Sequence, residues 1–420
     1  MSLADSRCLR VLILDEEVPC PANSGKRIRT WNLLRRLADR HDLHLFTHAP
    51  VTSEAQKELG KHRVRVTAVD PLPESHGPQF WGRLFGNLFS EYPYSVSKHF
   101  TQRLEAEVVK ACDNERFDLA HIEWVPYARY MTPNVPRLIT AHNIESDIWN
   151  RRARHSDTYI GRRFFGLQAE RMEAFERRAG IQSECVVTVS ELDAQRFRYY
   201  GAKNVRVVPN GVDLDYFRAV PSVLKTNSLV FVGSLDWFPN EDAVKDFALH
   251  VLPLVRSRDK SIILRVVGRS PSDRLAATLR DLPGVELIGE VPDVRPYLAE
   301  ARVVVVPLRI GGGTRIKILE ALAMGKPVVS TSIGAEGLEL ENGRDILIAD
   351  TPEEFAGTIE ALFARPEEQS RLGRNGRDVV EKLYGWDAAA DALENAWMAV
   401  AGRTETIVSG ADLAVGESRR

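Results

Sequence analysis

The stretch ARVVVVPLRIGGGTRIKILEALAMGKPVVSTSIGAEGLEL, residues 301–340, decides how the chain is read. Residues 303–308 form a continuous apolar run, the pattern of a strand covered on both faces. Gly311, Gly312 and Gly313 follow, and Thr314 can cap a helix over 315–324 that Gly325 stops. A glycine turn entering a helix presents backbone N–H groups and the positive end of the helix dipole, a setting for an anion. Arg315 and Lys317 sit in that first turn, where cations oppose the dipole, and a bound anion gives them a reason to be there. Glu320 falls on the apolar side of the same helix, four residues after Ile316 and three before Ala323. It either pairs with Arg315 or Lys317 or accepts the hydroxyls of a ligand held at the turn. Phosphate on the turn and hydroxyls on Glu320 together describe a nucleotide or a nucleotide sugar.

Similar runs of Val, Ile and Leu recur in both directions. They stand at 11–15, 43–47, 64–69, 119–124, 138–142 and 186–190, then at 205–209, 229–235, 262–268, 285–288, 327–331 and 346–349. Stripes at helical spacing lie between them, such as Ile28, Trp31, Leu34 and Leu37, or Leu275, Leu279 and Leu282. Strands alternating with helices predict parallel α/β sheets. There are too many strands for one Rossmann sheet, so two Rossmann-like domains are expected, 1–204 and 205–385, with a linker around 200–227. A helix over 386–402, with Asp387 available to cap it, is expected to pack back on the first domain. Residues 403–420 read as a disordered tail.

The chain has 420 residues, with 56 Lys+Arg against 58 Asp+Glu, a net charge of −2. That balance argues against holding nucleic acid by bulk charge. A hydrophobic content of 44% with 27% charged residues is that of a globular protein able to bury sizeable cores. No apolar run reaches the roughly 18 residues of a membrane span, and the N-terminus reads as a first strand rather than a signal peptide. Cys8, Cys20, Cys112 and Cys185 lie far apart without CxxC, which fits a reducing compartment and offers no metal framework. Residues 20–27 fail the Walker A pattern, and GxGxxG is absent after the first strand.

GGGTRIKILEALAMGKPVVST, residues 311–331, resembles the donor-binding segment of the family-4 retaining glycosyltransferases. VVPNGVD at 207–213, LVFVGSL at 229–235, VVG at 266–268, LIGEV at 287–291 and TVSE at 188–191 resemble that family's segments in the same order. The resemblance implies the GT-B fold, two Rossmann-like domains facing a central cleft. It implies transfer of a sugar from a nucleotide-diphosphate sugar, UDP-linked, to a glycan, lipid-linked or small-molecule acceptor. By this resemblance Glu320 holds the ribose, and Gly289, Glu290 and Val291 meet the base. Ser24 and Gly25 approach the diphosphate, Gly233 and Ser234 end the first strand of the donor domain, and Gly311, Gly312, Gly313 and Thr314 meet phosphate and sugar. His142 faces the transferred sugar.

Two departures stand out. The family's first glutamate of EX7E falls on Gly312, and its usual Arg and Lys after the first donor-domain strand fall on Ser234 and Asn240. Arg315 and Lys317 are expected to take over that charge, and with His142 and Glu320 they form the expected catalytic set. No DxD motif stands in a metal-binding setting, so no metal or other cofactor is expected. A UDP-sugar epimerase of the same fold and a non-catalytic nucleotide-sugar binding protein remain alternative readings.

The first half carries fewer signals. Residues 24–29 (SGKRIR) open a basic helix, either a solvated first turn or a phosphate contact. Residues 79–94 are rich in aromatics, and Trp81, Phe85, Leu88 and Phe89 share a helical face. That face either packs on the core or meets a membrane edge; the expected location is cytoplasmic, with a peripheral contact at the inner membrane face only under the second reading. The Arg-rich segment 151–178, interleaved with Glu170, Glu173 and Glu176, reads as a solvated helix face.

Overall fold

The computed structural model describes residues 8–72, 77–156, 158–219, 227–310 and 316–415, with side chains throughout except at Pro78, Trp81 and 403–415. All thirteen apolar runs are strands. The chain divides into two units, residues 1–209 with 387–420, and residues 210–386.

The first unit holds β1 (Arg10–Leu14), β2 (Asp42–His48), β3 (Arg65–Val69), β4 (Leu119–Ile122), β5 (Arg137–Ala141), β6 (Cys185–Thr188) and β7 (Val205–Val207). They form one parallel sheet in the order β3-β2-β1-β4-β5-β6-β7. β1 is central, with Val11 facing Leu43 on one side and Leu119 on the other. Residues 11–14 are fully buried because helices cover both faces, which is why this sequence shows no in–out alternation.

The second unit holds β8 (Ser228–Val232), β9 (Ile263–Val267), β10 (Val285–Gly289), β11 (Val303–Val306), β12 (Val328–Ser330) and β13 (Leu347–Ile348). Their order is β10-β9-β8-β11-β12-β13, again all parallel. Numbered within the unit this is 3-2-1-4-5-6, the Rossmann order. The four valines of β11 are buried to 1% or less, packed between two helical layers.

Three expectations need correction. The domain boundary at residue 204 falls short: β7 hydrogen-bonds to β6 and is the edge strand of the first sheet. The helix Trp386–Val415 runs past residue 402, so the expected disordered tail is helical backbone as far as Val415. Asp387 lies inside that helix and pairs with Arg36 (2.6 Å) rather than capping it. The helix also sets Glu394 against Arg40 and His41, and Trp397 is fully buried beside His41 and His121.

No described helix is long and apolar enough to cross a membrane. In the aromatic segment, Tyr92 and Phe80 pack on Phe175 and Tyr94. Phe85 and Phe89 are 65% and 82% exposed, so these two rings do not join the core, whereas Asn87 at the end of the helix Gly77–Asn87 is buried; the side chain of Trp81 lies outside the described residues. The expected solvated face at 151–178 also fails in part. Glu176 is fully buried, accepting the Glu145 backbone N–H (2.7 Å) and the Ser146 hydroxyl (2.6 Å). Burial pushes its carboxyl up to about 8.

Candidate functional site

In an open parallel sheet, ligands bind beyond the carboxyl ends of the strands where the strand order reverses. That point lies between β8 and β11 in the second unit and between β1 and β4 in the first.

In the second unit, β8 runs out into Gly233 and Ser234, and β11 leads to the glycine turn. Gly311, Gly312, Gly313, Thr314 and Arg315 lie outside the described residues. The described helix is Ile316–Ala323 and is closed by Gly325 in the left-handed region (φ 68°), as its sequence required. Lys317 projects toward the end of β8. Its Nζ donates to Asn240 Oδ1 (2.8 Å) and lies 4.3 Å from the centre of the Phe231 ring. Asn240 is itself fixed by donating from Nδ2 to the Ser234 carbonyl (2.8 Å). The space at Gly233 is tight: a Cβ there would sit 2.5 Å from Lys317 Nζ and 2.9 Å from Asn240 Nδ2.

Glu320 is one turn further along and only 8% exposed. Burial pushes its carboxyl up to about 7, with Lys317 pulling weakly the other way. The sequence left open a salt bridge to Arg315 or Lys317. No ion pair joins Lys317 to Glu320 within 4 Å, Lys317 bonds Asn240, and Arg315 lies outside the described residues. Among the described residues no hydrogen bond to the Glu320 carboxyl is found. Gly289 ends β10 in the left-handed region (φ 83°) with open space on its Cβ side. Glu290 is exposed and Val291 half-buried beside it.

Arg269 is a cation that the sequence reading missed. It stands at the end of β9, where Nε donates to Ser234 Oγ (3.2 Å) and Nη2 lies 3.3 Å from Asp236. An arginine two residues beyond an apolar strand gives no local hint of this; the register of β8 with β9 is what supplies it.

In the first unit, Ser24 caps the helix Gly25–Leu37 by accepting the Arg27 N–H (3.4 Å). The basic turn is neither solvated nor free. Lys26 pairs with Asp15 at the end of β1 and with Glu16 (2.8 Å), and Arg27 pairs with Glu17. Arg29 is buried and donates to the Pro209 carbonyl (3.0 Å). Burial raises Asp15 to about 7, against the pull of Lys26. Glu123 follows β4 and is equally buried. Burial works against its ionisation, yet His121 (3.0 Å), then His142 and Arg29, hold it at about 2.

His142 follows β5, with Nε2 2.6 Å from the Glu123 carbonyl and 3.6 Å from Oε1 of the same residue. A carbonyl only accepts, so Nε2 carries the proton and Nδ1 keeps its lone pair. Burial lowers His142 to about 4, so the ring is neutral near pH 7. The structure thus brings Lys317, Glu320, Gly233 and Ser234 together in one unit, and Ser24, Gly25 and His142 around the switch point of the other.

Two family models match the chain. One, described as Glycosyltransferase Family 4, covers residues 24–216, and one described as Glycosyl transferases group 1 covers 226–365. A curated MMP alpha-(1->4)-mannosyltransferase of Mycolicibacterium hassiacum is 26% identical over 194 residues, 45% of this chain and 46% of that one. The chain thus spans about half the length of this relative, and less of the other curated relatives that it matches. Among solved structures, Anabaena HepE in complex with UDP and glucose superposes with a TM-score of 0.67 at 14% identity, over 92% of this chain and 99% of that one. Sucrose-phosphate synthase from Thermosynechococcus elongatus gives a TM-score of 0.70 at 18% identity, over 93% and 99%.

Proposed function

We propose that this chain, which belongs to the family-4 glycosyltransferases and has their GT-B fold, moves a sugar from a UDP-sugar to a hydroxyl acceptor with retention at the anomeric carbon and without a metal. One observation carries the reading. At the switch point of the second sheet a positioned ammonium, Lys317, stands one helical turn from a buried carboxyl, Glu320, that has no donor among the described residues. A nucleoside diphosphate suits both groups, its phosphate charge the first and its ribose diol the second. The structural neighbour HepE, in complex with UDP and glucose or with UDP-glucose, supports the choice of nucleotide.

In the proposed reaction the bond from the anomeric carbon to the diphosphate oxygen breaks while the acceptor oxygen bonds to the same carbon. The sugar passes through an oxocarbenium-like state. The leaving diphosphate gains negative charge, which Lys317, with Arg315 and the N–H groups of the glycine turn that the sequence places before it, is proposed to offset. The acceptor proton passes to the departing phosphate oxygen, so no protein base is required. Neutral His142 is assigned to the sugar being transferred, with Nδ1 able to accept a hydroxyl proton.

The acceptor is a glycan, a lipid-linked sugar or a small molecule, which places the chain in glycan or polysaccharide assembly. Peripheral contact with a cytoplasmic membrane face is supported by Phe85, Leu88 and Phe89, exposed on the stretch 77–90, which contains Arg83 and no acid.

A thermal-shift screen of UDP, GDP and ADP sugars, followed by an NMR time course with the best donor, tests the reading. Stabilisation by a UDP-sugar, followed by acceptor-dependent transfer with retained anomeric configuration, is expected. Epimerisation of the donor without acceptor, or binding with neither transfer nor hydrolysis, would refute it.

A further inference from the structure

We propose that Arg269 is a further cation of the diphosphate site, standing in for the charge that Ser234 does not carry; the assignment rests on the donor reading above. The pairing of β8 with β9 continues past both strands. Gly233 N–H donates to the Val267 carbonyl (3.0 Å) and Leu235 N–H to the Arg269 carbonyl (2.9 Å). Gly268 runs so close to the Gly233 carbonyl that any side chain at 268 would overlap it. This register sets Arg269 beside Ser234 at the carboxyl edge of the sheet. Ser270, in the left-handed region (φ 52°), then turns the chain away.

The guanidinium uses Nε on Ser234 Oγ and one edge of Nη2 on Asp236, and the side chain is 26% exposed. On the other side of Ser234 the links run from its carbonyl to Asn240 and on to Lys317 (2.8 Å each). Arg269 and Lys317 therefore flank the peptide of Gly233 and Ser234, joined through two uncharged side chains. A half-exposed Arg–Asp pair contributes little stability by itself. A guanidinium anchored through Nε, whose Nη1 makes no hydrogen bond among the described residues, is the geometry that grips phosphate oxygens.

Calorimetric titration of UDP and of uridine into the unaltered full chain, Arg269→Ala, Arg269→Gln and Lys317→Ala tests the assignment. Arg269→Gln keeps a donor near Ser234 without the charge. Both Arg269 variants should bind UDP about tenfold or more weakly, the range of a lost charged hydrogen bond. Uridine affinity should not change, and the UDP deficit should shrink at high salt. Weakening of UDP by less than twofold in Arg269→Gln, or equal weakening of uridine, overturns the assignment. UDP binding that depends on Lys317 but not on Arg269 removes Arg269 alone. No UDP binding by the unaltered chain removes the donor reading and this assignment with it.

Discussion

Replacing Glu320 with glutamine should abolish a pH dependence that its burial creates. In the free protein the carboxyl lies at about 7, because burial penalises its charge and Lys317 only partly compensates. A ribose diol donates hydrogen bonds, so it prefers the ionised form and draws the pKa down on binding. Donor affinity should therefore be full above pH 8. Below 7 it should fall about tenfold per unit, reaching about a hundredfold loss at pH 5. UDP-glucose suits the calorimetric titration because its diphosphate diester does not titrate in this window.

His142 and His99, both lowered by burial to about 4, stay neutral throughout. Asp15, at about 7, titrates in the same window, and the Gln variant separates the two. In Glu320→Gln the affinity at pH 8 should drop roughly tenfold to a hundredfold, the worth of a charged hydrogen bond, and then stay level down to pH 5. Stability should move the opposite way. A carboxyl raised from 4.5 to about 7 contributes stability below 4.5 that is lost as pH rises to 7, about 3 kcal/mol in all. The variant should therefore melt higher than the unaltered chain at pH 8. A flat pH profile in the unaltered chain, or a slope that persists in Glu320→Gln, would refute the assignment of this carboxyl to the ribose.

Other perturbations probe other parts of the argument. Gly233→Ala puts a Cβ 2.5 Å from Lys317 Nζ, so UDP binding should weaken about tenfold while the melting temperature barely moves, because the lysine end can swing aside. Transfer activity measured after exhaustive EDTA treatment should be retained; a strict need for Mn²⁺ would contradict the metal-free reading. Glu176, raised by burial to about 8, contributes stability that is fully present below 4.5 and lost as pH rises to 8. The fall in melting temperature from pH 5 to pH 9 should therefore be shallower in Glu176→Gln. Flotation with vesicles rich in anionic lipid should recover the unaltered chain and not a Phe85→Ser, Phe89→Ser double variant; equal recovery of both would rule out this surface.

The strands were legible because a two-faced parallel sheet demands unbroken apolar runs, and every such run proved to be a strand. β7 was assigned to the wrong sheet because it is three residues long and only half-buried, so its sequence says strand without saying which partner. In the candidate site, Lys317 and Glu320 could be read together from the sequence because they share one helix, and helical spacing is local information. Arg269 could not be found that way. It reaches Ser234 only through the register between β8 and β9, across 35 residues of chain. The same holds for Lys26 with Asp15 and for Glu176 with Ser146, where a charge that reads as surface is satisfied by a distant segment.

The path of the backbone has a practical consequence for anyone dissecting the molecule. The first unit is built from segments on both sides of the second, since Arg36, Arg40 and His41 meet Asp387 and Glu394, and Trp397 is fully enclosed. Expressing residues 1–209 alone would strip those arginines of their carboxylates and uncover the seat of an indole. A fragment of 210–386 carries its six strands as one uninterrupted length and is the piece to isolate for nucleotide titrations.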